Sequence, residues 1–309
     1  MRPSRRPLGR DPAFRAALAL AEKAASAPGP VLLVGPTGSG KSRLARYIHD
    51  LRLPKPGTFT EWHAPGVPSS LLEAEFFGVE RGAATGVAPR AGIFEESGTG
   101  TLCLSGVEWL APDKQAALLR ILEGSPFQRI GGGRRLTCQA RVLAAFSEPP
   151  ELLVARGQLR QDLLFRLDVL RIHLPALGER TGDIPLLARH FLRAACRQSG
   201  RSVPEMAPSL IEALSKRPWP GNLRELARCM EGLALSGGTL LVPEDLPAEF
   251  WMAEPPAADA LRRRLTLEEL KDAYIRFVLA RTSGNRTRAA RWLGISRKAL
   301  WAHLRRSET

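Results

Sequence analysis

Short apolar runs alternate with segments of helical periodicity through the first two thirds of the chain. Four runs predict buried β-strands, at residues 31–34, 100–107, 141–146 and 167–174. Helical patterns precede or separate these runs, as at residues 11–25, 43–50, 69–77 and 113–123. Strands that alternate with helices form parallel sheets covered on both faces. The pattern therefore predicts an α/β domain built on a parallel sheet.

Beyond residue 183 the periodicity is mainly helical. Helices are predicted at residues 184–197, 207–216 and 222–235, and three more at residues 267–282, 287–293 and 296–305. Residues 243–258 are rich in Pro, Ala and Glu and are typical of a linker. We therefore expect a basic N-terminal arm (1–10), an α/β subdomain (11–182), a helical subdomain (183–246), a linker (247–264) and a small all-α C-terminal domain (265–309).

The first predicted strand leads directly into the sequence GPTGSGKS, which fits the phosphate-binding P-loop pattern. Glycines in such a loop let backbone N–H groups approach phosphate oxygens, the lysine reaches the β- and γ-phosphates, and the serine hydroxyl ligates Mg²⁺. A helix that follows also points its N-terminus at the anion. A chance match is the alternative, but the strand before and the helix after favour the P-loop. The predicted ligands of ATP or ADP are Gly35, Pro36, Thr37, Gly38, Ser39, Gly40, Lys41 and Ser42, with Ser42 also on Mg²⁺.

Charge is concentrated at the C-terminal end. Residues 261–309 hold 13 Lys/Arg and four Asp/Glu, which is +9 of the net charge of +14. Such a basic segment suggests a nucleic-acid partner, and a solvated helical face is the alternative. The four cysteines are scattered without metal-ligand spacing, and no apolar run is long enough to span a bilayer. Reduced thiols and the lack of a span predict a cytoplasmic protein without a membrane partner.

Residues 285–306 read NRTRAARWLGISRKALWAHLRR and predict a helix-turn-helix that binds double-stranded DNA. Small and apolar residues occur where two helices would cross, and Gly294 lies in the predicted turn. An ordinary basic helical hairpin is the alternative. The predicted DNA-binding residues are Arg286, Arg288 and Arg291 near phosphates, Ser296 as an N-cap, and Arg297, Lys298 and Trp301 facing base edges.

Several segments together resemble the AAA+ domains of sigma-54-dependent transcriptional activators, the bacterial enhancer-binding proteins. They read LLEAEFFGVERGAATG (71–86), GIFEESGTGTL (92–102), QAALLRILEGSPFQRIGG (115–132), LRQDLLFRLDV (159–169), LPALGERTGDIPLL (174–187) and WPGNLREL (219–226). The tail is similar to the Fis-type helix-turn-helix that closes many of these proteins. The resemblance implies an AAA+ core, a helical lid and assembly into rings or partial rings. Because few residues precede the matching region, we expect no built-in receiver or sensor domain.

The resemblance also assigns roles to individual positions. Residues 35–42 would be Walker A, and residues 100–106 would contain the Walker B strand. Arg160 and Arg166 match the arginine fingers that complete a neighbouring subunit's ATP site, where a guanidinium neutralises charge on the transferred phosphoryl group. Ordinary surface arginines are the alternative. Arg224 matches the sensor II arginine. The loop that contacts sigma-54, usually GAFTGA in the family, corresponds to Gly82, Ala83, Ala84, Thr85, Gly86 and Val87.

Four departures from the family pattern fall on the hydrolytic parts. Ser105 and Gly106 replace the Walker B Asp-Glu pair, Ser147 replaces the sensor I Asn, and His63 replaces the Asn that communicates with the Walker B Glu. The Asp helps hold Mg²⁺ and the Glu orients or deprotonates the attacking water. Ala84 also replaces the central aromatic residue of the sigma-54 loop, which removes most of a contact anchor.

These departures predict a DNA-binding regulator that binds ATP or ADP with weak or absent autonomous hydrolysis, in a homo-oligomer or a mixed ring with an active relative. An orthodox ATP-hydrolysing activator that remodels the sigma-54 RNA polymerase holoenzyme is the alternative, and a scaffold that only binds DNA is a third. A substitute base could come from Glu108, Glu95 or Glu96. Glu108 lies past the expected strand end, so its carboxylate is expected to point away from the site.

Overall fold

A five-stranded parallel sheet lies at the centre of the N-terminal half of the protein, as the sequence predicts. The computed structural model describes residues 6–52, 57–83, 88–236, 238–246, 250, 266–281 and 286–306. The strands are β1 Val31–Val34, β2 Phe59–His63, β3 Gly78–Val79, β4 Arg90–Ala91, β5 Thr101–Ser105, β6 Arg141–Phe146, β7 Arg171–His173, β8 Glu205–Met206 and β9 Leu240–Leu241. The order of the central strands is β2-β5-β6-β1-β7, and two short pairs, β3-β4 and β8-β9, lie outside this sheet.

Helices cover both faces of this sheet and form the lid beyond it. All residues of β1 and β6 are buried, since strands covered on both faces carry continuous apolar runs. The helices up to the lid are α1 Pro12–Ser26, α2 Lys41–Asp50, α3 Leu72–Phe77, α4 Ile93–Glu96, α5 Pro112–Leu122, α6 Pro150–Ala155 and α7 Gln161–Leu167. One apolar cluster packs α1 and α2 on one face, and a larger one holds Phe76, Phe94 and Phe127 on the other.

Three strand assignments need correction. The expected strand at residues 100–107 is limited to β5, which ends at Ser105 because the left-handed Gly106 starts a turn. The expected strand at residues 167–174 is shorter, because Leu163, Leu164 and Leu167 are buried at helical spacing and residues up to Leu167 belong to α7. The edge strand β2 was not predicted. Only Trp62 of its five residues is buried, so the apolar signal is weak, and a segment rich in proline and glycine precedes it.

The lid is helical, as expected. It contains α8 Ile184–Gln198, α9 Pro208–Lys216 and α10 Asn222–Leu235, which share a core around Trp219, Leu226 and Met230. Phe250, which falls in the predicted linker, is buried in this core with its ring centroid 5.6 Å from that of Trp219. The other residues predicted as linker from 251 to 264 lie outside the described residues.

The C-terminal segment forms three helices, Leu267–Arg281, Arg286–Trp292 and Arg297–Arg306, here called the first, second and third tail helix. Ile275, Val278, Ala290 and Leu300 form their small core. In the parts of the chain that the structure describes, no helix is both long and apolar enough to cross a membrane.

Candidate nucleotide site and DNA interface

The P-loop joins β1 to α2 and wraps around the ammonium group of Lys41. Gly38 and Gly40 adopt φ values of 79° and 108°, which only glycine enters without strain, and Gly40 caps α2. Lys41 Nζ donates to the carbonyls of Gly35, at 2.5 Å, and Pro36, at 3.1 Å. Burial lowers the pKa of Lys41 to about 8, partly opposed by the negative charge of Glu108. The loop therefore presents a half-desolvated cation at its centre.

The lid contacts the P-loop directly through the start of α10. The side-chain amide of Asn222 donates to Thr37 O at 2.9 Å, and the backbone N–H of Leu223 donates to Gly38 O at 3.0 Å. A Cβ atom on Gly38 would lie 2.3 Å from Gly221 O, so only glycine permits this approach. Arg224, the predicted sensor II residue, follows in the same turn and acts through its charge on Lys41. The structure therefore brings Arg224 to the predicted phosphate site.

A cavity of about 500 Å³ opens beside the P-loop, between the core and the lid. This volume is within the range of small-molecule sites. Its walls are mainly apolar, with Arg43, Arg180 and Arg224 among the polar groups. The apolar lining includes Leu8, Phe14, Leu174, Leu187, Phe191 and Leu223.

A buried charged pair closes one side of this cavity. The Arg180 guanidinium lies 4.5 Å above the Phe14 ring, and its Nη2 donates to Ser39 O at 3.4 Å. Asp183 Oδ1 accepts from the backbone N–H groups of Arg10, at 2.6 Å, and Asp11, at 3.2 Å. Within the described residues, Arg180 Nε and Nη1 and the Ser39 hydroxyl are buried without a hydrogen-bond partner. Sequence reasoning missed this pair and Asn222, although all three lie in the GERTGD and GNLREL segments that carried the resemblance.

The residues at the ends of β2, β5 and β6 differ in whether they contact the P-loop. The Ser105 hydroxyl donates to Trp62 O at 3.1 Å and is 2.9 Å from His63 Nδ1. Because the hydroxyl has one proton to donate, His63 donates and Ser105 accepts in the second bond. Ser147 Oγ lies 3.4 Å from Lys41 Nζ and 3.3 Å from Thr37 Oγ1. Ser147 therefore contacts the P-loop, whereas the Ser105 hydroxyl is engaged away from it.

The backbone turns sharply immediately after Ser105. Gly106 has φ +72° and ψ 26°, in the left-handed region, and caps a 3₁₀ turn at Val107–Trp109. A Cβ atom on Gly106 would lie 2.5 Å from Pro65 Cδ. The position that holds the Walker B glutamate in the family therefore accepts no side chain in this backbone conformation.

Glu108 lies in this turn, and the structure corrects its predicted direction. The side chain is half-buried, and burial raises the pKa of Glu108, an effect that the positive charge of Lys41 partly opposes. Its Oε2 is buried and accepts no hydrogen bond from the described residues. The expectation that Glu108 points away from the site is therefore wrong.

The two predicted arginine fingers lie on α7 and have partners within the chain. Arg160 Nη2 pairs with Asp162 Oδ2 at 2.7 Å, and Arg166 Nη2 donates to Leu122 O at 2.6 Å. Phe165 lies between them in sequence, with 70% of its surface exposed. The structure therefore gives both arginines surface partners away from the P-loop, and their role in trans stays a prediction.

The sigma-54 contact loop is only partly within the described residues. Gly82 has φ +83° and Ala83 packs against Gly131, where a Cβ atom would lie 2.5 Å from that of Ala83. Ala84, Thr85, Gly86 and Val87 lie outside the described residues, so their predicted contact role stays a prediction.

The tail carries its predicted DNA-binding side chains on the second and third helices. Ser296 Oγ accepts from the Ala299 backbone N–H at 3.1 Å, which caps the third helix as expected. Arg286, Arg291, Arg297 and Lys298 are exposed, Trp301 is 47% exposed, and Arg288 lies in the second helix. Buried Ala290 and Leu300 hold the two helices together. Their contacts with phosphates and base edges stay a prediction.

Comparisons with known proteins identify the whole arrangement. Residues 8–173 match the Sigma-54 interaction domain, residues 178–262 the AAA+ ATPase lid domain, and residues 266–306 the Fis family of bacterial regulatory proteins. The chain belongs to the sigma-54 interaction domain family. Its fold is accordingly AAA+, with a helical lid and a Fis-type helix-turn-helix.

Individual relatives and a solved structure are consistent with this family assignment. Regulatory protein AtoC of Escherichia coli is 38% identical over 280 residues, which cover 87% of this chain and 60% of AtoC. Transcriptional regulatory protein XylR of Pseudomonas putida is 34% identical over 97% of this chain and 56% of XylR. The chain therefore spans little more than half the length of these relatives. The crystal structure of NtrX from Brucella abortus in complex with ADP gives a TM-score of 0.73 at 29% identity, over 97% of this chain and 68% of that one.

Proposed function

We propose that the protein is a DNA-binding transcriptional regulator of the sigma-54 activator type, which binds ATP or ADP at its P-loop and hydrolyses ATP weakly or not at all on its own. One observation carries this proposal. The P-loop, its lid contacts and the adjoining cavity are complete, whereas the strand ends that would activate water are occupied by Ser105 and Gly106.

The cavity fits a nucleotide in both size and chemistry. Its apolar walls suit a base and sugar, and Lys41 and Arg224 supply positive charge where phosphates would lie. The buried, unpartnered donors of Arg180 and the Ser39 hydroxyl are polar groups that a ligand or water would satisfy. NtrX, a structural neighbour, has been solved in complex with ADP and with ATP.

Magnesium would be held mainly through the nucleotide. Ser42, the second residue of α2, offers a hydroxyl ligand, and Mg²⁺ in nucleotide sites shares its remaining positions with phosphates and water. Bound there, Mg²⁺ neutralises phosphate charge. Ser105 supplies no carboxylate, and its hydroxyl is engaged by His63 and Trp62. The metal therefore has fewer protein ligands than in the family pattern.

DNA is the macromolecular partner that the tail supports best. Arg286, Arg288 and Arg291 are proposed to contact phosphates, while Arg297, Lys298 and Trp301 on the third helix face base edges in the major groove. These contacts would fix the position of the AAA+ core on the DNA. The core could then assemble with further copies.

Assembly would use Arg160 and Arg166 at a neighbour's nucleotide, in a homo-oligomer or in a mixed ring with an active relative. Phe165, between them on the same exposed helix, is the kind of apolar residue that subunit contacts bury. Contact with the sigma-54 holoenzyme would run through residues 82–87, where Ala84 removes the aromatic anchor. Binding there would be weaker than with the family's aromatic loop.

An orthodox ATP-hydrolysing activator is the second candidate, and the orientation of Glu108 favours it. Nucleotide binding and phosphate release, measured side by side on the full chain with and without Mg²⁺, distinguish the two. We expect ATP and ADP to bind and phosphate release to remain well below about 1 s⁻¹ at every protein concentration. Release at that rate or faster would favour the orthodox activator, and failure to bind either nucleotide would contradict both candidates.

A further inference from the structure

The nucleotide site contains one carboxylate that the family pattern does not supply. We propose that Glu108 is a catalytic residue of this site and acts as the base for the water that attacks the γ-phosphate of ATP. This inference rests on the proposed nucleotide binding and deepens it. It assigns the slow hydrolysis that remains to a residue two positions beyond the family's glutamate.

The backbone explains why the carboxylate has moved. Gly106 takes a left-handed conformation, with Pro65 against the place where a Cβ atom would lie, and therefore cannot carry the base. The chain then closes a 3₁₀ turn, in which the Trp109 N–H donates to Gly106 O at 3.0 Å. Buried Val107 anchors this turn in the core. The Glu108 side chain therefore projects from a turn that is anchored in the core, and not from the end of β5.

The surroundings of the Glu108 carboxylate match those of a base. Its Oε2 is shielded from solvent yet accepts no hydrogen bond from the described residues, so a water molecule or ligand proton would satisfy it. Its charge and that of Lys41 act on each other across the site. Ser105 is in register with Ala145 of β6, and Ser147, two residues further along, lies 3.4 Å from Lys41 Nζ, so the turn that carries Glu108 lies at the same edge of the sheet as the P-loop. Because the P-loop lysine reaches the β- and γ-phosphates, this edge is where the reacting end of the nucleotide would lie.

The other carboxylates considered are paired with arginines or exposed to solvent. Both oxygens of Glu95 accept from Arg129, at 2.7 and 2.8 Å. Glu96 is exposed, and Glu148 pairs with Arg156 at 2.9 Å on the surface. Among the carboxylates considered, Glu108 alone combines a buried, unpartnered oxygen with an electrostatic link to the P-loop lysine.

In the proposed step, the oxygen of a water molecule forms a bond to the γ-phosphorus while the bond from that phosphorus to the β–γ bridging oxygen breaks. The bridging oxygen keeps the electron pair and leaves as part of ADP. The proton lost by the water passes to the Glu108 carboxylate, and from there to the released phosphate. Glu108 is thereby regenerated for the next cycle.

The test compares wild-type chain with Glu108→Gln, which keeps the shape of the side chain and removes its basicity. We measure single-turnover ATP hydrolysis, and also the Kd of a fluorescent ATP analogue, with thermal unfolding as the check on folding. General bases contribute about 10²–10⁴-fold, so we expect hydrolysis to fall by about 10²-fold or to the background of Lys41→Ala. The Kd should change less than about threefold. Glu123→Gln, at an exposed glutamate that follows α5, is the matched control and should hydrolyse like wild type.

Glu108→Asp is the second variant, because it keeps a carboxylate one methylene shorter. It should bind nucleotide normally and hydrolyse faster than Glu108→Gln. Wild-type turnover in Glu108→Gln would overturn the assignment, as would a loss of hydrolysis matched by an equal loss of binding. Wild-type chain that binds ATP but never exceeds the Lys41→Ala background would also overturn it, while leaving the proposed nucleotide binding intact. Failure of the wild type to bind nucleotide would instead overturn the proposed function and this inference together.

Discussion

The P-loop and the strand ends opposite it have diverged to different degrees from the family pattern. The P-loop keeps all the residues that its motif requires, including Lys41, and the lid residues Asn222 and Leu223 bond to its carbonyls. At the ends of β2 and β5, His63, Ser105 and Gly106 stand where the resemblance predicts Asn, Asp and Glu, and His63 and Ser105 are hydrogen-bonded to each other. This contrast is the basis of the proposal that the protein holds a nucleotide but hydrolyses it weakly or not at all.

Each side of the site is nevertheless internally consistent. Ser105 and His63 are hydrogen-bonded to each other, and Ser105 donates to Trp62 O, so both side chains have partners, whereas Trp62 Nε1 and Glu108 Oε2 are buried without one among the described residues. Gly106 permits a turn that a side chain would block. Ser105, His63 and Gly106 are therefore packed against one another and their neighbours, and replacing one of them by the family residue would disturb these contacts.

Removing the Lys41 side chain tests the P-loop and has the largest expected effect of the substitutions, on nucleotide affinity. Lys41→Ala should weaken binding of ATP and ADP by at least about 10²-fold, equivalent to about 2.7 kcal/mol, because the ammonium at the centre of the P-loop is lost. Titration calorimetry or a fluorescent nucleotide measures this directly. Lys23→Ala, an exposed lysine on α1, is the matched control and should bind like wild type. Equal affinity in Lys41→Ala and wild type would place the nucleotide elsewhere.

A substitution at Gly106 tests the turn that follows β5. Gly106→Ala should lower the free energy of unfolding by about 2 kcal/mol, since it combines a left-handed backbone with a contact against Pro65. Gly157→Ala is a close control, because Gly157 has nearly the same φ, +70°, but open space around it. That variant should lose only about 1 kcal/mol. Chemical denaturation of both variants measures the difference, and equal losses would show that Pro65 gives way.

The sequence predicted the parts of the fold where burial is continuous. β1 and β6 have the predicted ends because all their residues are apolar or buried, and the P-loop was found because its ligands are contiguous. β2 was missed because an edge strand with one buried residue carries little pattern. Leu167 was assigned to a strand, although its burial continues the helical spacing of Leu163 and Leu164.

Within the site, contacts between distant segments were beyond the sequence. Asn222 and Thr37 are 185 residues apart, and Arg180 and Ser39 are 141 apart, so neither pair has a local signature. The direction of Glu108 was wrong for a different reason. The prediction took the position of Glu108 past the strand end to mean that its carboxylate points away, but the left-handed Gly106 starts a 3₁₀ turn that holds Glu108. The left-handed conformation of Gly106 is therefore the reason that the predicted direction of the Glu108 side chain was wrong.

The smallest expected effect is the change with pH in the affinity of the P-loop for ADP. Burial lowers the pKa of Lys41 to about 8 in the free protein, so raising the pH from 7 to 9 removes the ammonium proton that phosphate binding requires. If only the protonated form binds, the affinity for ADP should fall by about tenfold across this interval, whereas a lysine near its ordinary pKa of about 10.4 would give almost no change. The measurement is an ADP titration without metal at pH 7, 8 and 9. Lys41→Arg, whose guanidinium stays charged, should give a flat profile. A flat profile in the wild type would instead show that Lys41 keeps its proton to higher pH, and that the P-loop is better hydrated than its burial indicates.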